Sequence, residues 1–297
     1  MTRAIAFARR PWWWWLWLAA ALACFAAGAM LAWNAWRTDP ARPALWRVSG
    51  PNGQTATLFG TIHALPRPAA WQGGAVDQAM AASNVLVVEI AALNDGAQTA
   101  RVFHRLSQTP GLPPLDQRVT PALRPALLAA LHALGKSPAD FSTTETWAAA
   151  LTLAQGEKPG QSANGIDQAL LRAPQLPVYE LEGAEAQLAI FDRLPEPTQR
   201  RLLELTITPA RGADLSAAWR AGDMAAIEAQ THQGIMADPA IRQALYAARN
   251  HDWAGRIAVM MRAGRRPFVA VGAAHMAGAQ GLPALLTTMG YRVTRVQ

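Results

Sequence analysis

Two short segments near opposite ends of the chain repeat one pattern, and that pattern limits the folds open to it. Leu58-Phe59-Gly60-Thr61-Ile62-His63 and Ala270-Val271-Gly272-Ala273-Ala274-His275 each read as an apolar strand, a glycine, two small or apolar residues and a histidine. Glycine tolerates φ > 0 and turns the chain without a Cβ penalty, so each strand is expected to end at its glycine. A histidine three residues on then stands at the carboxyl end of a sheet, where open α/β folds place their ligands. Val85-Leu86-Val87-Val88-Glu89-Ile90 is β-branched and almost wholly apolar, as a strand covered on both faces should be, and it ends in Glu89. Two imidazoles and a carboxylate in one crevice match a first-row metal site with open coordination positions. The plainer reading is two hydrogen-bonded core histidines, each preceded by a glycine by chance.

The remaining elements fit such a sheet. Ala56 to Phe59 reads as a buried strand, 75–82 as a helix, and helical spacing returns over 97–107, 121–134 and 144–155. Val178-Tyr179-Glu180-Leu181 is a further short strand. From Glu185 to Ala248 the pattern is helical, interrupted at Pro195, Pro197, Pro209 and Pro239. An amphipathic helix over 251–263, a buried strand over 267–271, a helix over 282–289 and an alternating edge strand over 291–296 close the chain. The expected class is α/β, with α+β as the alternative. Its sheet is central, mixed and largely parallel, built from N- and C-terminal strands with helices around it. The middle is long and helical, and the two strand-Gly-x-x-His halves are quasi-equivalent. No linker composition interrupts 40–297, which reads as a single catalytic or binding domain.

The N-terminal end imposes a different constraint. Trp12 to Trp33 carries no charge, and at 1.5 Å per residue it spans roughly 33 Å, enough for a bilayer core. Tryptophans crowd both its ends, and Arg3, Arg9 and Arg10 precede it, so the positive-inside rule places the short N-terminus in the cytoplasm. Residues 1–37 therefore read as a cytoplasmic N-terminus and a transmembrane signal anchor. The body would then lie in the periplasm or another extracytoplasmic space. A signal peptide cut at Ala27-Gly28-Ala29 is the alternative, and it exports the body equally. Four of the 27 basic residues flank this segment, leaving the body a small positive excess and no basic cluster, so nucleic acid is not an expected partner. The one cysteine, Cys24, lies inside the segment, which removes disulfides, thiolate metal sites and cysteine nucleophiles from the body.

Among the other histidines, His104, His132, His232 and His251 fall in helical or polar contexts and are not expected at a site. The chain has no H-E-x-x-H, no Walker loop and no G-x-G-x-x-G.

In the order of its short motifs the chain resembles the TraB/GumN family, which is related to the Tiki membrane-anchored metalloproteases. The resemblance covers about Trp46 to Val296. Gly60-Thr61-Ile62-His63 and Gly272-Ala273-Ala274-His275 correspond to that family's two G-x-x-H motifs, and Val87-Val88-Glu89-Ile90 to its strand with a glutamate. Gly165-Ile166-Asp167, Leu181-Glu182 with Gln187, Trp219 to Asp223, and Arg249-Asn250 match further elements. Trp147 stands where a Lys-Pro-Trp segment ends, although Glu145-Thr146 replaces Lys-Pro here.

The resemblance implies a metal-dependent hydrolase of peptide bonds, using manganese or a similar divalent ion, with zinc or cobalt as alternatives. His63, Glu89 and His275 are then the candidate metal ligands, with Gly60 and Gly272 shaping the turns that carry them. A metal-bound water would attack an amide or ester carbonyl. Glu89 is either ligand or general base, and Arg249 either stabilises an oxyanion or forms a structural ion pair. Asp167 either supports a ligating histidine from behind or caps the helix starting at Gln168. Asn250 either hydrogen-bonds at the site or caps the following helix, while Glu182 and Gln187 read as polar anchors. Two other functions fit the same crevice. One is a non-catalytic receptor for a peptide, haem or glycan fragment; the other is a metal-independent, esterase-like hydrolase with His63 as general base.

Overall fold

Residues 55–61 combine β-branched and aromatic side chains with burial of nearly every position, the pattern of a strand covered on both faces. In the computed structural model, which describes residues 38–92, 95–154, 161–208 and 215–297, this strand lies inside a six-stranded sheet. The strands are β1 (Asp39–Pro40), β2 (Leu45–Ser49), β3 (Thr55–Thr61), β4 (Ala69–Ala70), β5 (Val85–Val88), β6 (Val178–Glu180), β7 (Pro267–Gly272) and β8 (Arg292–Arg295). The main sheet runs β6-β5-β7-β3-β2-β8, and β1 pairs with β4 apart from it. The neighbours β6, β5, β7 and β3 are parallel, and β2 runs antiparallel to both β3 and β8. The sheet is thus mixed and largely parallel, as expected. The two glycine-terminated strands are immediate neighbours, with Gly60 opposite Val271 and Thr61 opposite Gly272.

Alternate residues of these strands face two helical layers. The helices that matter here are α1 (Gly74–Ala82), α2 (Gly96–Leu106), α3 (Arg124–Ala133), α4 (Thr146–Ala154), α5 (Ile166–Arg172), α6 (Gly183–Asp192), α7 (Glu196–Ile207), α8 (Leu215–Ala221), α9 (Met224–Gln230), α10 (Pro239–Arg242), α11 (Ala248–Arg262) and α12 (Leu282–Thr288). Leu58, Val87, Val269 and Val271 pack on Trp253 and Ile257 of α11 and Leu286 of α12. Phe59, Leu86, Val88 and Phe268 pack on Val76 of α1, Ile166 and Leu170 of α5 and Trp219 of α8. The helical middle has a core of its own around Trp147, Leu202 and Leu203.

Four expectations are corrected. Neither Gly60 nor Gly272 has positive φ. Gly60 is small because a Cβ would press on the Ala273 backbone at 3.1 Å, and the Cβ position of Gly272 faces the site. The helix expected from His251 begins earlier: Asp238 caps Pro239 at its start, and α10 runs through a π-helical turn at Gln243–Ala247 into α11. Asn250 therefore lies inside a helix and caps nothing. Asp167 is likewise no cap, because the cap position belongs to Gly165. Strand β2 had no clear signal, since Arg47 interrupts a run of only five residues. The expected span Trp12–Trp33 lies outside the described residues; among those described, no helix is long and apolar enough to cross a membrane.

Candidate active site

Four parallel strands deliver their carboxyl ends to one place, and each delivers a polar side chain just beyond its last residue. His63 follows β3, Glu89 follows β5, Glu182 follows β6, and His275 sits on a 3₁₀ turn (Ala273–Met276) directly after β7. A Cβ on Gly272 would lie 3.4 Å from Glu89 Oε1, 3.7 Å from His275 Cδ2 and 3.9 Å from His63 Nε2. The structure thus gathers His63, Glu89 and His275 around one point, and the glycine leaves that point open.

Glu89 is buried, and both its oxygens are engaged. Oε1 accepts the Gly272 N–H at 2.8 Å and Oε2 accepts Arg249 Nη2 at 2.9 Å. Burial alone would raise its pKa, but the surrounding positive charge and the Gly272 N–H hold it down at about 2. Of the groups acting on it, Arg249 and His63 carry positive charge at neutral pH, whereas burial lowers His275 to about 4 and keeps that ring neutral.

Arg249 uses all five of its N–H groups. Nε and Nη2 bind Glu182 at 2.8–3.1 Å, Nη2 also binds Glu89, and Nη1 reaches Leu245 O at 3.1 Å and His275 Nε2 at 3.2 Å. A guanidinium only donates, so His275 Nε2 accepts and its proton sits on Nδ1. That Nδ1–H donates to Asn250 Oδ1 at 2.6 Å, and Asn250 Nδ2 donates to Gln280 O at 2.7 Å. Trp253 closes the wall, its ring 4.5 Å from the His275 ring and 4.5 Å from the Arg249 guanidinium carbon. The π turn just before Arg249 belongs to the same helix that supplies Tyr246, Arg249, Asn250 and Trp253 to this wall, and such turns recur at functional sites.

His63 is different. Its side chain is 67% exposed, its Nδ1 pairs with Asp167 Oδ2 at 2.8 Å, and its Nε2 has no protein partner among the described residues. Thr61 Oγ1 donates to the other carboxylate oxygen of Asp167 at 2.5 Å. The hydrogen bond to Asp167, with the charges of Asp167 and Glu89, raises the His63 pKa to about 9. Asp167 reaches the ring because α5 docks tightly under it: Ile166 N donates to Ile62 O at 2.9 Å, and a Cβ on Gly165 would collide with the His63 carbonyl. Trp219 Nε1 donates to Gly60 O at 2.8 Å and braces the same loop. His63 and Gln187 of α6 both border two hollows, of about 330 and 290 Å³.

As a metal-binding set, His63, Glu89 and His275 do not fit as they stand. The outward lone pair of His275 is taken by Arg249, and the same guanidinium, a fixed cation, occupies one oxygen of Glu89. Among the described residues, no group of three His, Cys, Asp or Glu side chains stands where it would hold a metal ion. What the arrangement offers is one free imidazole nitrogen backed by a carboxylate, facing a rigid wall of neutral His275 and ionised Glu89. Thr61, Tyr246 and Trp253 were not anticipated at the site. Thr61 sits within the first glycine-histidine segment, and the other two follow the helical spacing of Arg249. His104, His132, His232 and His251 are all exposed.

A family model of the TraB/PrgY/gumN family matches residues 44–295, a span that holds every residue of this site. The chain belongs to the TraB/PrgY/gumN family. It is 32% identical over 191 residues to the uncharacterized protein YbaP of Escherichia coli (strain K12), an alignment covering 60% of this chain and 69% of YbaP. YbaP of Shigella flexneri matches to the same extent. No solved structure matches. Within this TraB/PrgY/gumN chain, both strand-Gly-x-x-His segments and the Glu89 strand border one crevice.

Proposed function

We propose that this chain is a hydrolase of amide or ester carbonyls, acting outside the cytoplasmic membrane to which its N-terminal segment tethers it, with His63 as the proton-transfer group. The observation that carries this reading is the free Nε2 of His63, set by Asp167 on the ring's other nitrogen and opening onto a crevice walled by Glu89, Gly272 and His275. A histidine that merely satisfied a core hydrogen bond would not be two-thirds exposed in such a crevice.

The chemistry follows from the tautomer. Asp167 accepts from Nδ1–H, so the lone pair of the neutral ring lies on Nε2. A water hydrogen-bonded there gives its proton to Nε2 as its oxygen bonds to the substrate carbonyl carbon. Asp167 stabilises the imidazolium, and Thr61 holds Asp167 in place. The same Nε2–H then protonates the departing nitrogen or oxygen as the tetrahedral intermediate collapses. With its N–H groups saturated, Arg249 is a positioning residue: it fixes Glu89 and His275 so that the crevice holds its shape while substrate binds.

The test is hydrolysis of end-blocked peptides and nitrophenyl esters by the purified full chain, with and without EDTA and added manganese. Turnover that EDTA leaves intact supports this reading. Turnover lost to EDTA and restored by manganese overturns the metal-free step. Stoichiometric binding with no turnover of either substrate class makes the crevice a receptor and overturns the hydrolase.

A further inference from the structure

The two hollows beside His63 differ in character. The one of about 330 Å³ is walled mainly by Ile62, Trp219, Ile227, Met236 and Ala273, with Gln230 and Thr231 at its edge, while the one of about 290 Å³ sets Ser162, Asp167, Gln168 and Gln187 beside Val88 and Ile90. His63, Glu89 and Gln187 border both. A third hollow, about 790 Å³, lies between α2 and α6 and shares Ile90 and Gln187 with the second. The reacting centre therefore stands between a mainly apolar chamber and a second hollow of mixed lining, with Gln187 bordering all three.

Two of the apolar walls come from elements that hold no proton-transfer group. Ile227 lies on α9, and Met236 lies on the 3₁₀ turn Gly234–Ala237. Water in such a chamber gains little from its walls, so an apolar group that displaces it gains roughly 25 cal/mol per Å² removed from water. A polar group placed there would lose its hydrogen bonds.

Resting on the hydrolase reading above, we propose that the chamber between α8, α9 and the Gly234–Ala237 turn is a specificity pocket. It takes one bulky apolar side group next to the scissile carbonyl, while the rest of an extended substrate crosses Gln187 into the second hollow. Met236, only partly buried at the chamber wall, sets the size that fits.

The test uses the full chain and a set of end-blocked peptides that vary at one position among Gly, Ala, Leu, Met, Phe and Trp. Cleavage is read by mass spectrometry, and equilibrium retention of intact peptide is read separately. Wild type should favour Leu, Met or Phe over Gly beside the cut by at least about 10–200-fold, the range that one methylene commands in a hydrophobic pocket. Met236→Trp should shrink that ratio at least tenfold, and Met236→Ala should shift the preference toward Trp. The two variants move in opposite directions, so loss of fold in one leaves the other decisive. Cleavage without a preference, or ratios unchanged in both variants, overturns the pocket and leaves the hydrolase standing. Apolar-selective retention without cleavage overturns the hydrolase and leaves the pocket standing.

Discussion

His63 and His275 carry the same side chain in opposite electrical settings. His63 leans on the Asp167 carboxylate and is raised to about 9, while His275, buried against a guanidinium, is lowered to about 4. Between those values one ring is an imidazolium and the other is neutral, a division of labour seen where one site needs both an acid-base group and a neutral scaffold. If His63 is the base, activity depends on its deprotonated form, so kcat/KM should climb with pH up to about 9. Asp167→Asn removes the charge and weakens the hydrogen bond that raise the pKa, so the rising limb should move to lower pH while the plateau falls. A pH–rate profile of the variant checks this, and a limb that stays put would assign the ionisation to another group. The sequence made His63, Glu89 and His275 legible because each follows a strand that its own composition announces. It did not reveal that Arg249 is saturated. That depends on Glu182 and Glu89, 67 and 160 residues away, reaching the same guanidinium.

Among the elements, the helix running from Pro239 to Arg262 through its π turn does most to shape the site. It buries Trp253, Ile257 and Met261 against the sheet and aims Arg249 at the ends of β5 and β6. Arg249, Glu89 and Glu182 are each about nine-tenths buried, so removing the cation strands two carboxylates in a poorly solvated place. Arg249→Met should therefore cost about 3–5 kcal/mol of stability. Urea denaturation measures it, and a loss below 1 kcal/mol would mean the carboxylates find water or protons instead. Proline and charge cues in the sequence divided this helix at the wrong point, because Pro239 at a first-turn position starts a helix as readily as it breaks one. Strand β2 was missed for a related reason: its five residues gain their stability from pairing with β3 and β8, which local composition does not display.

At the scale of the whole molecule, the largely parallel sheet explains why a site can be assembled from residues so distant in sequence. Parallel neighbours send their carboxyl ends to one edge, so β3, β5, β6 and β7 meet there whatever the length of helical chain between them. The strand-rich ends and helical middle were plain in the sequence, whereas the strand order was not, since nothing local records which strand lies beside which. An exported body predicts that protease added to intact spheroplasts degrades residues 40–297 while a tag ahead of Trp12 survives; the reverse pattern would place the site in the cytoplasm. The central claim rests on one nitrogen, and emptying its place tests it most directly. The rate of peptide or ester hydrolysis by His63→Ala, measured with and without added imidazole, should fall by about 10²–10⁴-fold and recover in part with imidazole. A variant that hydrolyses substrate as fast as the parent chain would contradict the account.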